Sequence, residues 1–159
     1  MSDKEILFRF KTVQTNAIRI LFESLKNILS DVNFKADSSG LKLTTIDGTQ
    51  TAIVNLFLLQ DKFEEYICNR KSINIGINLL SVFKILKGIK HMDTISFTIY
   101  LNDDSNMYIE CQNSDKKSTI ISKIKLLDMC GTWVKVEYNG IKGWVNNKFL
   151  CGNPLTSCC

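Results

Sequence analysis

Ser38-Ser39-Gly40-Leu41-Lys42-Leu43-Thr44-Thr45-Ile46-Asp47 leads through Gly48 into Thr51-Ala52-Ile53-Val54-Asn55-Leu56. The Ser39-Gly40 and Asp47-Gly48 pairs are turn signals, and the runs after them are rich in β-branched and apolar residues, so the stretch reads as two strands. Working outward, Ile6 to Phe10 alternates like a strand. Asn16 is placed to cap a helix on which Ile18, Leu21, Phe22, Leu25, Ile28 and Leu29 recur at helical spacing. The two strands of the stretch are Leu41 to Asp47 and Thr51 to Leu59, and further strands read at Val32 to Ala36 and Phe63 to Cys68. The pattern then begins again. Ser72 to Ile77 is a strand, and Asn78 caps a helix with Leu79, Val82, Phe83, Leu86 and Ile89 on one side and Gly88 near its end. Strands return at Thr94 to Leu101, Met107 to Gln112 and Ser118 to Leu126. A strand-helix-strands unit made twice predicts an α+β class, with both helices on one face of antiparallel sheet.

Composition narrows the function classes. A chain of 159 residues, 45% hydrophobic and 23% charged, has the balance of a soluble globular protein. The longest apolar run, Thr51 to Leu59, is far short of the ~20 residues that span a bilayer, and no export signal follows Met1-Ser2-Asp3-Lys4-Glu5, so an intracellular protein with no membrane partner is expected. Cys68, Cys111, Cys130, Cys151, Cys158 and Cys159 form no disulfide framework and lack the Cys-x-x-Cys pairing that presents thiolates to zinc. Reduced thiols are expected, with no metal and no cofactor. The terminal Cys-Cys does not form a prenylation box. Catalysis finds little support. His91 is the only histidine and no nucleophile lies near it in sequence, while Asp103-Asp104 sits among Asn102, Ser105 and Asn106 as a polar turn.

At about 100° per residue, Arg19 and Lys26 fall on one line of the first helix, opposite Ile18, Leu25 and Leu29 and beside Glu23; Lys84 and Lys87 take the equivalent side of the second. Charge placement alone describes a solvated helix face, and the net charge of +4 is modest. Taken with Tyr66-Ile67-Cys68-Asn69-Arg70, Gly76-Ile77-Asn78-Leu79, Lys84-Ile85-Leu86-Lys87 and Lys125-Leu126-Leu127-Asp128, however, the order of elements from Ile6 to Asp128 resembles the first domain of the DNA sliding clamps of the proliferating cell nuclear antigen family.

The resemblance implies a processivity factor acting in DNA replication and repair, at a nuclear or intracellular viral replication site. It implies that the two helices line the hole of a ring, with Arg19, Lys26, Lys84 and Lys87 facing the phosphates of double-stranded DNA. Ile20 and Leu80 interrupt those polar sides, which thins the expected contact. Ile46 and Gln50 match the first-domain part of a pocket for short peptides of polymerases and other partners; burial is the ordinary fate of such an isoleucine. Ser118, Ile120, Ser122 and Ile124 match the edge strand by which one clamp subunit joins the next through backbone pairing. The remainder of both surfaces belongs, in the family, to a linker and second domain that nothing after Asp128 matches, so a truncated or chimeric clamp subunit is expected.

From Gly131 to Val145 the chain alternates by two around Asn139-Gly140, a strong hairpin signal. With Lys148-Phe149-Leu150 it resembles the closing strands of a bacterial-type Src-homology-3-like barrel. The division is therefore 1–128 for the clamp-like domain and 129–159 for a hairpin and tail. The hairpin packs on the domain, stays partly disordered, or records a recombination, frameshift or gene-model join near Met129; a join is favoured. The alternative functions are an interaction module that keeps the fold without the ring, using the edge strand or the aromatic hairpin, and a non-functional fragment.

Overall fold

The computed structural model describes residues 5–88, 94–113, 118–127, 129–130, 133–138 and 141–146. Of residues 118, 120, 129, 130, 133–138, 141, 142, 145 and 146 only the backbone is described. His91, Ile89, Asp128, the Asn139-Gly140 turn, Lys148 to Leu150, Cys151, Cys158 and Cys159 lie outside the described residues.

The elements run β1 (Ile6–Thr12), α1 (Thr15–Lys26), β2 (Asp31–Asp37), β3 (Gly40–Ile46), β4 (Ile53–Leu59), a 3-10 turn (Gln60–Lys62), β5 (Glu65–Cys68), β6 (Ile73–Asn78), α2 (Leu79–Gly88), β7 (Thr94–Tyr100), β8 (Asp103–Asn113) and β9 (Ser118–Lys125). β10 (Met129–Cys130), β11 (Trp133–Tyr138) and β12 (Ile141–Asn146) follow. The doubled unit is present, but its sheet is split in two and the halves exchange strands. One sheet has the order β5-β1-β7-β8-β9 and the other β4-β3-β2-β6. The first strand of each unit thus pairs in the other unit's sheet: β1 lies on β7, with Arg9 facing Thr98, and β6 lies on β2, with Gly76 facing Asn33. Local periodicity carries no trace of this exchange, because it is a property of long-range register.

The helices close the core over both sheets. Phe22 of α1 stacks on Phe97 of β7 at 6.0 Å between centroids and meets Phe34 of β2 at 6.3 Å, so one side chain ties the two sheets together. Phe10 stacks on the same Phe97 at 4.6 Å. Ile18, Phe22 and Leu25 are the buried residues of α1 and Leu79, Val82 and Leu86 those of α2, the spacing the sequence displays. Asn78 caps α2 as expected, its Oδ1 accepting the Ser81 amide at 2.9 Å. Asn16 does not cap α1. The helix begins one residue earlier, at Thr15, after the Thr12 hydroxyl takes the Gln14 amide at 3.0 Å, and Asn16 instead accepts from Arg19 at 2.9 Å.

Strand ends move by up to four residues from the sequence reading, and two of the new starts have a visible cause. β4 starts at Ile53 because the Asp47 carboxylate captures the amides of Thr51 and Ala52, at 2.8 and 2.7 Å, in the preceding turn. β8 starts at Asp103, not beyond a polar turn: Asp103 faces Tyr100 across the ladder and accepts from Asn106 at 2.5 Å and Tyr108 at 2.6 Å, while Lys123 of β9 reaches it at 3.3 Å.

After β9 the chain crosses from one sheet to the other. The Leu127 amide donates to the Gly76 carbonyl at 2.7 Å, which extends the second sheet past β6. β10, β11 and β12 form a separate three-stranded sheet, Tyr138 facing Ile141 across the hairpin. Among the described residues no helix is long and apolar enough to cross a membrane.

Candidate nucleic-acid interface and edge surfaces

The two helices lie side by side, and the Lys26 ammonium sits over the Phe83 ring at 4.6 Å, bridging from α1 to α2. Lys26 also donates to the Asn27 side chain at 2.9 Å. Arg19 is half-exposed, paired with Glu23 at 3.5 Å one turn on and donating to Asn16. Lys84 and Lys87 are exposed on α2. The structure brings the four cations to the surface of one helical layer, Arg19 and Lys26 half-exposed along the flank of the buried stripe of α1 and Lys84 and Lys87 on the exposed side of α2. Ile20 and Leu80 share that side, 48% and 50% exposed. The arrangement has no base-reading element. It offers cationic side-chain ends on one helical layer, the chemistry that holds phosphates without regard to sequence.

On the second sheet Ile46 is not buried. It is 56% exposed, facing the still more exposed Ile53 (76%) across the β3–β4 ladder. Gln50 is exposed nearby with φ of 59°, a left-handed backbone that a glutamine adopts at a cost. Its turn is organised by Asp47, which also bonds the Thr49 and Thr51 hydroxyls. Those bonds, Thr49's first, hold the Asp47 carboxyl down at about 2.

At β9, Ile124 is buried and its neighbours alternate away from it. The Leu126 amide donates to Ser105, and this register gives the backbone groups of Ser118, Ile120, Ser122 and Ile124 to β8. The free edge is presented instead by Thr119, Ile121, Lys123 and Lys125, so the even-numbered set expected to join subunits faces inward through its backbone.

A shallow hollow across β5, β1, β7 and β8 is lined by Arg9, Lys11, Glu65, Thr94, Ser96, Glu110 and Gln112, a mixture of both signs with no histidine or cysteine in its lining. Burial pushes the Cys111 thiol up to about 12, which keeps it protonated and inert. Among the described residues no three His, Cys, Asp or Glu side chains converge as metal ligands.

The family model for the N-terminal domain of proliferating cell nuclear antigen matches residues 7–131. The chain belongs to the proliferating cell nuclear antigen family. The match takes in both helices, both large sheets and β10, three residues past the boundary expected at Asp128. Among relatives, the probable DNA polymerase sliding clamp 1 of Paramecium bursaria Chlorella virus 1 is 33% identical over 136 residues, covering 86% of this chain and 52% of the viral protein. The proliferating cell nuclear antigen of Dictyostelium discoideum is 30% identical over 125 residues, or 77% of this chain and 47% of that one. The crystal structure of the Entamoeba histolytica antigen superposes with a TM-score of 0.72 at 23% identity, covering 84% of this chain and 52% of its own. The chain spans about half the length of the curated relatives it matches.

Sequence reasoning did not foresee the outward set on β4. Ile53, Phe57 and Leu59 are exposed, while Val54, Leu56 and Leu58 pack on the core. Both sets are apolar but for Asn55, so alternation gave no sign of which faced out.

Proposed function

We propose that this chain is the first domain of a DNA sliding clamp and works as part of a processivity factor in replication and repair, without catalysis, at a nuclear or viral replication site. The observation that carries the reading is the placement of Arg19, Lys26, Lys84 and Lys87 together at the surface of the α1–α2 layer, in a chain of this family. Four cations neutralise at most about four phosphates, giving a log-log salt slope near −3.6 and weak, non-specific affinity. Weak contacts of this kind let a protein slide. Retention then comes from enclosure, which needs further domains supplied by the same polypeptide or by other subunits, joined through the β9 edge. Ile46, Gln50 and the neighbouring Ile53 supply the first-domain part of a site for polymerase and other partner peptides.

The test is binding of the chain to a random-sequence duplex measured by anisotropy over a salt series. Binding that does not depend on sequence, falls with salt at the stated slope, and is lost in Lys84→Glu/Lys87→Glu supports the reading. Binding that survives the double reversal, or none at about 20 mM salt, removes it.

A further inference from the structure

Two central strands of the second sheet carry an arrangement that stability alone does not favour. Lys35 of β2 stands directly opposite Lys42 of β3, so two ammonium stems rise side by side from one face. Like charges directly opposite in a ladder are destabilising, whereas an opposite pair in the same two places is favourable. Val32, Phe34, Ala36, Leu41 and Leu43 alternate with these lysines and are buried, and Phe34 meets Phe22 of α1. The lysines therefore stand on the face turned away from the helices. A duplex held by Arg19, Lys26, Lys84 and Lys87 cannot reach it. We propose that the outward face around Lys35 and Lys42 is a docking surface for an acidic polypeptide segment of a partner protein.

The positive charge on this face is not consumed within the chain. Asp37, the carboxylate at the near end of β2, is already taken by Lys42 at 2.9 Å, the Ser39 amide at 2.8 Å and the Ser39 hydroxyl. Asp31, at the far end, accepts from Asn78 at 2.7 Å. Lys35 is exposed and has no ion pair among the described residues. The same holds for Arg70 and Lys71, exposed three and two residues ahead of β6. Ile73 of β6 faces Ala36, so both cations enter at the Lys35 end of the sheet. Lys42 is steadied over the Phe57 ring at 5.0 Å, while Lys35 is left to a partner. Strand spacing sets the two lysine stems about 4.8 Å apart, within reach of carboxylates on alternate residues of an extended segment, about 6.6 Å apart. Thr44, Asn55 and Asn74 around the pair are exposed and neutral, and their hydroxyl and amides suit peptide groups. Four residues of β3, about 13 Å, separate Lys42 from Ile46, so this surface is distinct from the peptide site proposed above.

The surface does not depend on the clamp reading; a chain indifferent to DNA would dock the segment equally. The test is titration of the full chain with a fluorescein-labelled oligoglutamate peptide at about 20 mM salt, read by anisotropy. Saturable binding is expected, with Kd raised at least about tenfold in Lys35→Glu. Lys84→Glu/Lys87→Glu removes twice the charge from the opposite side of the domain and should shift the Kd by less than about twofold, which separates docking from general attraction to a cationic protein. Unlabelled oligothymidylate should displace the peptide less well than unlabelled oligoglutamate. Because Lys35→Glu sets a carboxylate opposite Lys42, its Tm should equal or exceed the parent's, so lost binding is not lost fold. Lys35→Gln, which removes the charge alone, should weaken binding in the same direction and keeps the test decisive if the reversal unfolds the chain. No saturable binding, binding that survives both Lys35 variants, loss that follows the helical lysines instead, or displacement by oligothymidylate ahead of oligoglutamate would overturn the proposal.

Discussion

Gly76→Ala should destabilise the protein through a contact that has nothing to do with glycine's backbone freedom. A Cβ at Gly76 would stand 2.3 Å from the Leu127 carbonyl oxygen and 3.2 Å from the Leu127 Cβ, and the obstacle is backbone, which cannot swing aside. Relief requires residue 127 to move off β6, breaking the 2.7 Å bond from its amide to the Gly76 carbonyl. Overpacking of this kind costs about 1–3 kcal/mol and the lost bond about 1. Stiffening of the unfolded chain returns about 0.4–1. The net is a loss of about 2 kcal/mol, or a fall in Tm of about 4–8 °C for a chain of this size. Urea unfolding followed by circular dichroism measures it, with Gly88→Ala as the control. The Gly88 Cβ would meet nothing within 4 Å, and alanine favours the helix end, so that variant should gain up to about 1 kcal/mol. Equal midpoints for Gly76→Ala and the parent would refute the idea that the Gly76–Leu127 bridge is a tight join between the two sheets.

Three further expectations are open to simple measurement. Gln50→Gly should relieve the left-handed strain at φ 59° and raise stability by about 0.5–1 kcal/mol, read as a Tm gain of a few degrees; a fall would mean that the glutamine side chain holds the turn. Asp47 and Asp103, both held at about 2 by hydrogen bonds from Thr49 and Tyr108 first, have folded values below their unfolded ones, so their contribution is complete above about pH 4 and is lost as pH falls from about 4 toward 2. Asp47→Asn and Asp103→Asn should flatten that acid limb in a stability–pH profile, and an unchanged limb would count against both sites. On DNA, Lys84→Ala should weaken binding more than Arg19→Ala, because Arg19 already spends its guanidinium on Glu23 and Asn16; equal losses in salt-matched titrations would show that those surface bonds are no competition for a phosphate.

What the sequence disclosed was whatever depends on neighbours three or four residues apart. Ile18, Phe22 and Leu25 on one helix and Leu79, Val82 and Leu86 on the other stand where spacing put them, as does the Asn78 cap. What it concealed depends on partners far along the chain. Thr12 rather than Asn16 organises the start of α1, since a hydroxyl two residues before an amide competes with an asparagine that looks better placed. Asp103, surrounded by polar residues, belongs to a strand because Tyr108 and Lys123 arrive to bind it. The outward exposure of Ile46 and Ile53 was hidden too: a pair of isoleucines facing one another across a ladder is written the same way whether the face is covered or open. The positions of the helical cations were legible, but their company was not. Phe83 beneath Lys26 is a core-type residue by spacing, and only the packing of α1 beside α2 makes it a seat for an ammonium.

The exchange of strands between the two units decides how the candidate interface is held. If each strand-helix-strands unit formed its own sheet, α1 and α2 would ride on separate bodies and the four cations would share no frame. Because β1 pairs with β7 and β6 with β2, each helix follows a strand paired into the other unit's sheet, and Phe22 contacts both sheets. Neither unit has a complete core without the other, so the two should unfold together. Rigidity of the layer then lets weak phosphate contacts act from a fixed geometry, without a fresh ordering cost at each step along a duplex. The same exchange leaves β4 and β9 at opposite ends of different sheets. The phosphate contacts can therefore be tested by exposed substitutions such as Lys84→Glu, which should leave both sheets and their shared core untouched.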